Sequence, residues 1–188
     1  MTSVRQQNFL LRKEKILAMA ETLLLDNNQD ITLSELATEL DIAKGTIYKH
    51  FKSKNQLYLE LIILNETRLL EISQKHNNDI KTYVSEYMLY NMLNSNRTIL
   101  LHVIEERLTN NERKLKELFE KLYQIREQRI IEIKDMTSDY LKSLDSAMSI
   151  RDYLSYVWTV TYGASLLLNS THYQKSIGSR ERLIKLYV

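Results

Sequence analysis

Four lysines, Lys44, Lys49, Lys52 and Lys54, together with His50, fall between Ile42 and Gln56 without a single carboxylate among them, although acidic residues are frequent on both sides. Ammonium groups gathered without acids neutralise phosphate oxygens, and short polar side chains beside them can reach base edges. The chemistry on offer is therefore recognition of a polyanion. Ile47 and Phe51, four residues apart, give a short helix one apolar side, which leaves Lys44, Thr46, Lys49 and His50 on the free face, where a major groove could receive them. Gly45 leaves room for close backbone approach. A second reading stands beside this one, because a charge run is commonly the solvated face of a small helix. The net charge of +2 does not decide between them, so the argument rests on where the charges lie.

The elements that must position this run are legible upstream. From Arg12 to Leu25 the apolar residues Ile16, Leu17, Met19, Ala20, Leu23 and Leu24 recur at helical spacing, predicting a first helix that ends near Asn27. Thr32 precedes Leu33, Leu36, Ala37 and Leu40, and Glu35 stands three residues after the threonine as a capping box requires. The three residues Asp41-Ile42-Ala43 then separate this second helix from the third, the proportions of a helix-turn-helix. Ser53 and Gln56 form another capping-box match, and a fourth helix is predicted from about Lys54 to His76.

Beyond it the rhythm is that of a helical bundle, with helices predicted at 79–94, 97–109, 112–144, 150–169 and 179–187 and breaks at His76-Asn-Asn-Asp, Asn94-Ser-Asn, Thr109-Asn-Asn and Ser143 to Ser149. No proline and only three glycines in 188 residues leave little punctuation for tight turns, so the fold class expected is all-α. With no cysteine there is neither a disulfide framework nor a thiolate metal site, and no N-terminal segment looks like a signal peptide, so a cytoplasmic protein is expected. The stretch from Tyr153 to Ser170 carries no charge, but Ser155, Thr159, Thr161, Gly163, Ser165, Asn169 and three tyrosines argue against a membrane span. A helix buried on two sides within protein fits better.

The stretch Ile31-Thr-Leu-Ser-Glu-Leu-Ala-Thr-Glu-Leu-Asp-Ile-Ala-Lys-Gly-Thr-Ile-Tyr-Lys-His-Phe-Lys-Ser-Lys-Asn-Gln-Leu closely resembles the DNA-binding segment of the tetracycline-repressor (TetR) family of bacterial regulators. The most recognisable run is Lys44-Gly-Thr-Ile-Tyr48 followed by His50-Phe51 and Lys54, and the likeness covers roughly the first third of the chain. The resemblance implies an N-terminal three-helix helix-turn-helix DNA-binding domain, residues 1–52, followed by a larger helical ligand-binding and dimerisation domain, residues 53–188. Carried over by position, it implies that Thr32 and Lys54 hold phosphates and that Lys44, Gly45, Thr46, Tyr48, Lys49 and His50 face a double-stranded operator. Lysines and the Tyr48 hydroxyl suit phosphate oxygens, while Thr46, Lys49 and Lys44 have the reach for base edges. Tyr48 has an alternative, packing beside Ile47 onto the fourth helix. The family usually has glycine at the position of Asp41 and serine at that of Ala43. Aspartate takes a left-handed turn conformation at some cost, and alanine cannot cap the third helix through a side chain.

In the resembling family the larger part binds a small molecule and dimerises. Here Tyr83, Tyr87 and Tyr90 form a stripe with Met88 and Met92 nearby, and Phe119, Tyr123, Trp158 and Tyr162 add further rings. Such side chains suit an adaptable apolar pocket, with His102, Arg126 and Arg129 as polar anchors, and they suit an ordinary core equally well. Helix 150–169 is apolar along two lines, Tyr153, Val157, Val160, Ala164 and Leu167 on one and Leu154, Trp158, Ser165 and Leu168 on the other. A homodimer through this helix and the C-terminal helix is therefore expected, Gly163, Ala164 and Ser165 permitting close approach. The final helix, near Arg180 to Tyr187, is shorter than the family leads one to expect.

Two rival classes fit the residues less well. His102-Val-Ile-Glu105-Glu106 puts an imidazole and carboxylates on one helical turn, but no glutamate precedes any histidine by three residues, and a Gly-rich cradle and a nucleophile elbow are both missing. No enzyme, cofactor or metal is expected. A helical adaptor explains the bundle but not the acid-free lysine run. The function expected is a ligand-responsive transcriptional repressor that binds a palindromic operator as a homodimer and is released by a small-molecule effector.

Overall fold

The computed structural model describes residues 3–27, 30–109 and 113–187. Among them every regular element is helical: α1 (Val4–Asn27), α2 (Leu33–Glu39), α3 (Lys44–His50), α4 (Lys54–Lys75), α5 (Ile80–Leu93), α6 (Ser95–Thr109), a 3₁₀ turn (Arg113–Leu115), α7 (Lys116–Ser143), α8 (Ile150–Leu168), α9 (Thr171–Ser176) and α10 (Arg180–Tyr187). The all-α expectation holds. The expected Asn110-Asn111 break and a helix start at residue 112 lie outside the described residues.

Local chemistry sets most of the helix ends. The Thr32 hydroxyl accepts from the Glu35 amide at 3.1 Å while the Glu35 carboxylate accepts from the Thr32 amide at 2.7 Å, closing a complete capping box. At α4 the box is shifted by one residue. Ser53 Oγ accepts from the Gln56 amide, but the Gln56 side chain reaches past Ser53 to accept from the Lys52 amide at 2.9 Å. Helix α2 ends in a Schellman motif, with the Ile42 amide donating to the Ala37 carbonyl and the Asp41 amide to that of Thr38, and Asp41 in the left-handed region at φ 49°. Ala43 caps α3 with no side-chain hydrogen bond. Both departures from the family pattern thus leave their physical mark at the turn.

Two further points differ from the sequence reading. Helix α1 begins at Val4, eight residues before Arg12, because nothing from Val4 to Lys15 is buried and periodicity therefore could not report it. The single-turn α9, capped by Ser170 on the Tyr173 amide, was missed because six residues are too few to display a period.

Burial is organised around two clusters. Ile16, Ala20, Leu24, Ile31, Leu36, Ile47 and Phe51 from α1 to α3 are continuous with Leu57 to Ile63 of α4, the C-terminal half of α6 and the start of α7. Leu69, Tyr83, Tyr87, Met92, Ile133, Val157, Ala164 and Leu168 form the second. Helix α4 therefore belongs to both, and it packs along α7 through the middle of the molecule. Helix α8 buries Val157, Thr161, Ala164, Ser165 and Leu168 on one side and turns Tyr156, Leu166 and Leu167 outward. The two lines read from the sequence are corrected to this single inner stripe, because at 3.6 residues per turn 157, 161, 164 and 168 stay in phase while 160 and 167 drift out. Among the described residues no helix is long and apolar enough to cross a membrane.

Candidate nucleic-acid interface and internal cavity

With Ile47 and Phe51 fully buried, α3 presents Lys44, Gly45, Tyr48 and Lys49 to solvent and leaves Thr46 and His50 half-buried. Tyr48 is 48% exposed, so it does not pack into the core with Ile47. A Cβ built on Gly45 would meet nothing within 4 Å, so its backbone lies open to close approach. The Lys44 ammonium donates to Ser34 Oγ at 2.9 Å, tying α3 to α2. His50 stacks on Phe9 of α1, and its Nδ1 is buried without a hydrogen-bond partner. Burial, reinforced by the charges of Arg12, Lys13 and Lys49, holds that imidazole below its ordinary pKa.

Thr32 and Lys54, the two phosphate contacts the resemblance implied, are already engaged. Thr32 Oγ1 serves the capping box, and Lys54 Nζ lies 3.0 Å from Asp30. Asp30 also accepts from the Tyr58 hydroxyl at 3.1 Å and from Arg107 of α6 at 3.3 Å. Partial burial pushes the Asp30 carboxyl up, but Lys54, Arg107 and Tyr58 together hold it below its ordinary range. Tyr58 in turn accepts from the Ile31 amide, and burial pushes its hydroxyl up to about 12. A second tie from α6 runs through Arg97, which meets Glu21 of α1 at 3.3 Å, while Arg68 of α4 holds the same carboxylate in two hydrogen bonds of 2.7 and 2.9 Å.

Between α4, α5, α6, α7 and α8 lie two adjoining cavities. One, of about 350 Å³, is walled by Glu66, Tyr87, His102, Arg126, Trp158 and Tyr162 among others. The other, of about 360 Å³, includes Tyr83, Tyr87, Arg129, Ile133, Leu154 and Trp158. Tyr87, Arg129 and Trp158 contribute to both. His102, Trp158 and Tyr162 form a ring cluster, with the His102 centroid 4.9 Å from Tyr162 and 5.9 Å from Trp158.

Of the rings and polar anchors singled out as pocket candidates, seven line these cavities: Tyr83, Tyr87, His102, Arg126, Arg129, Trp158 and Tyr162. Three do not. Tyr90 donates to Asn65 and stacks under Arg97, Phe119 packs in the first core cluster, and Tyr123 is 48% exposed on α7. Sequence reasoning missed Glu66. Its carboxylate accepts from Arg126 at 3.1 Å and lies 3.4 Å from Arg129, while Arg126 also holds Glu105 at 2.6 and 2.8 Å. The Arg129 and Glu66 atoms that face each other are buried and misaligned, so neither gains a hydrogen bond. A signal was present: Glu66 follows Ile62 by four residues and precedes Leu69 by three, a carboxylate at a core register position of α4. Burial raises the Tyr87 hydroxyl against the lowering charge of Arg129.

Comparison with known proteins agrees with this geometry at the N-terminus. The family described as bacterial regulatory proteins, tetR family, matches residues 16–61. The HTH-type transcriptional regulator QacR of Staphylococcus aureus (strain Mu50) is 34% identical over 82 residues, a similarity that spans 43% of this chain and 44% of that relative, less than half of either. With α2, its left-handed turn at Asp41 and α3 inside the matched span, the N-terminal helices of this chain are similar to the tetR family of bacterial regulatory proteins.

Proposed function

We propose that this chain is a homodimeric, ligand-responsive transcription regulator, a cytoplasmic repressor that binds a palindromic double-stranded operator and is released by a small-molecule effector. The observation that carries the reading is α3 itself: Thr46, Lys49, Lys44, the open backbone of Gly45 and the exposed ring of Tyr48 share an acid-free surface on a helix whose other side is fully buried. In this reading residues 1–52 are the DNA-binding unit and residues 53–188 the effector and dimerisation unit. Lys44, Lys49 and Tyr48 hold phosphates or base edges, Thr46 reads a base, and Thr32, His50 and Lys54 border the same strand. Lys54 then exchanges Asp30 for phosphate. The effector occupies the adjoining cavities, with Tyr87 and Trp158 touching it from either one.

The outward stripe of α8, Tyr156, Thr159, Gly163 and Leu166, with Leu186 and Tyr187 of α10, supports the choice of dimer surface, since it leaves large apolar side chains in water. Gly163 has open space around it, so a partner helix can approach closely there. For the effector to release DNA it must favour the non-binding conformer, because equal affinity for both shifts nothing.

The test is selection of duplex DNA from a random pool by the purified protein, followed by footprinting. The reading expects a palindromic consensus with half-sites about one helical turn apart, lost in Lys49→Ala and in a monomeric Gly163→Arg variant. Recovery of no consensus, with binding equal to that of an unrelated basic protein, rejects it.

A further inference from the structure

Helix α1 carries three turns ahead of the family match that bury nothing. From Val4 to Arg12 every side chain is exposed, including Phe9, Leu10 and Leu11. Helices in proteins draw most of their stability from packing, so an exposed extension needs a partner to account for it. What fixes its direction is α3. The Phe9 ring lies on the His50 imidazole with centroids 4.1 Å apart and planes inclined by 29°.

Between the two helices runs an open cleft of about 490 Å³ with Thr46, Lys49 and His50 on one wall and Arg5, Phe9 and Arg12 on the other. Arg5, Phe9 and Arg12 are spaced by four and three residues and so share one face of α1. Among the described residues the cleft is lined by the cations Arg5, Arg12 and Lys49, by the His50 imidazole and by neutral polar side chains, with no acidic group. Two walls that each carry cations, joined by the stacked rings of Phe9 and His50, complement a chain of phosphates threaded between them.

We infer that this cleft seats one sugar–phosphate strand of the duplex whose major groove receives α3, with Arg5 and Arg12 holding its phosphates from the far side while Thr46 and Lys49 face the bases. The inference rests on the DNA-binding reading and adds to it an arm outside residues 16–61. Arg5 and Arg12 carry charge and position but no base preference, whereas Phe9 is a positioning residue that keeps the arm against α3 through His50.

The experiment measures binding of a short random-sequence duplex between about 50 and 200 mM salt, where phosphate binding acts without any operator. Wild type is compared with Arg5→Ala/Arg12→Ala, Arg5→Lys/Arg12→Lys, Phe9→Ala and Lys49→Ala, with helicity checked by circular dichroism. Removing one phosphate-neutralising cation flattens the slope of log K against log salt by about 0.9, so the alanine pair is expected to flatten it by about 1.8 per bound protomer and to weaken binding more than tenfold at about 100 mM salt. The lysine pair keeps most of the slope, because a point charge suffices for a phosphate. Phe9→Ala weakens binding less than the alanine pair. Base preference selected from a random pool is the same for the alanine pair as for wild type. If the alanine pair binds with wild-type slope and affinity while Lys49→Ala weakens binding, the arm is not a strand seat and the DNA-binding reading survives without it. A lysine pair as weak as the alanine pair overturns the phosphate role as well. If wild type itself binds no duplex, the DNA-binding reading fails and this inference falls with it.

Discussion

Arg107 of α6 and Asp30, just ahead of α2, meet at 3.3 Å, so a helix that walls one of the cavities also grips the helix-turn-helix. Both side chains are nearly half exposed, which limits their worth to stability: exposed ion pairs contribute about 1 kcal/mol or less. Arg107→Ala should therefore lower unfolding free energy in urea by no more than about 1 kcal/mol. Its effect should be local, with faster amide exchange at Ile31, whose amide donates to the Tyr58 hydroxyl that Asp30 orients. A global loss several times larger would mean that this pair holds the core rather than the joint.

Glu66 presents the opposite balance. It is buried between Arg126 and Arg129, and removing one partner from a buried ion pair costs about 3–5 kcal/mol because the other charge is left uncompensated. Glu66→Leu should destabilise the fold by that order. Adding Arg129→Met should restore most of the loss, since Arg126 keeps its two hydrogen bonds to Glu105. Denaturation of the two single variants and the double variant gives the coupling directly. Additive losses would show that Glu66 and Arg129 do not sense each other across their 3.4 Å.

What could be read from the sequence follows the physics of each signal. The helix-turn-helix was legible because short-range chemistry specifies it: Thr32 with Glu35, then Ile47 and Phe51 four residues apart. Tyr83 and Tyr87 were legible as a stripe, and both are buried at a cavity wall, yet Tyr90 on the same stripe turns to Asn65. Spacing places residues on one face but does not say which neighbour claims each hydroxyl. The ties of Arg97 to Glu21 and Arg107 to Asp30 were out of reach, because they join residues more than seventy positions apart. The arm from Val4 to Arg12 was missed for the converse reason: a helix that buries nothing has no apolar period to detect.

At the turn, two substitutions should stabilise the protein. Ala43 already has the extended backbone of an N-cap, φ −64° and ψ 136°, so Ala43→Ser can accept from the first turn of α3 without rearrangement and should add about 0.5–2 kcal/mol. Asp41→Gly removes a side chain held at φ 49°, a conformation costing about 1–2 kcal/mol for most L-residues and less for aspartate. Part of that gain is offset by the greater freedom of glycine in the unfolded chain, so a net rise of about 0.5 kcal/mol is expected. Chemical denaturation measures both. A destabilised Ala43→Ser would mean that its hydroxyl cannot reach the α3 amides.

Glu21 sets a pH dependence whose sign can be worked out. Burial raises its carboxyl, but the hydrogen bonds and charge of Arg68, joined by Arg97, outweigh burial and bring it below the ordinary 4.5. A carboxyl depressed in the folded state contributes stability in full above its unfolded value, and that stability is lost as pH falls through the lower folded value. Melting temperature should thus hold near neutrality and fall more steeply below about pH 4.5 in wild type than in Glu21→Gln. Parallel curves for the two proteins would remove Glu21 from the acid response.

Trp158 offers a direct reading of the cavities, since it is the single tryptophan of the chain and contributes to both of them. Its ring lies 5.7 Å from Tyr162 and 5.9 Å from His102, so a molecule entering either space changes its surroundings and hence its emission. At 49% exposure, Trp158→Ala should cost clearly less than the about 3–5 kcal/mol of a fully buried aromatic, which separates a folding defect from a binding defect. A thermal-shift screen supplies the compounds, because a ligand at about a hundred times its Kd stabilises the native state by about 2.7 kcal/mol. Compounds that raise the melting temperature should also alter Trp158 emission, and Trp158→Ala should weaken their binding while duplex binding by the ligand-free protein stays near wild type. Under the proposed function, operator and effector oppose each other reciprocally, each weakening the other by the same factor, commonly about 5 to 150-fold. Stabilising compounds that leave emission unchanged and bind Trp158→Ala as tightly as wild type would place the effector outside these cavities.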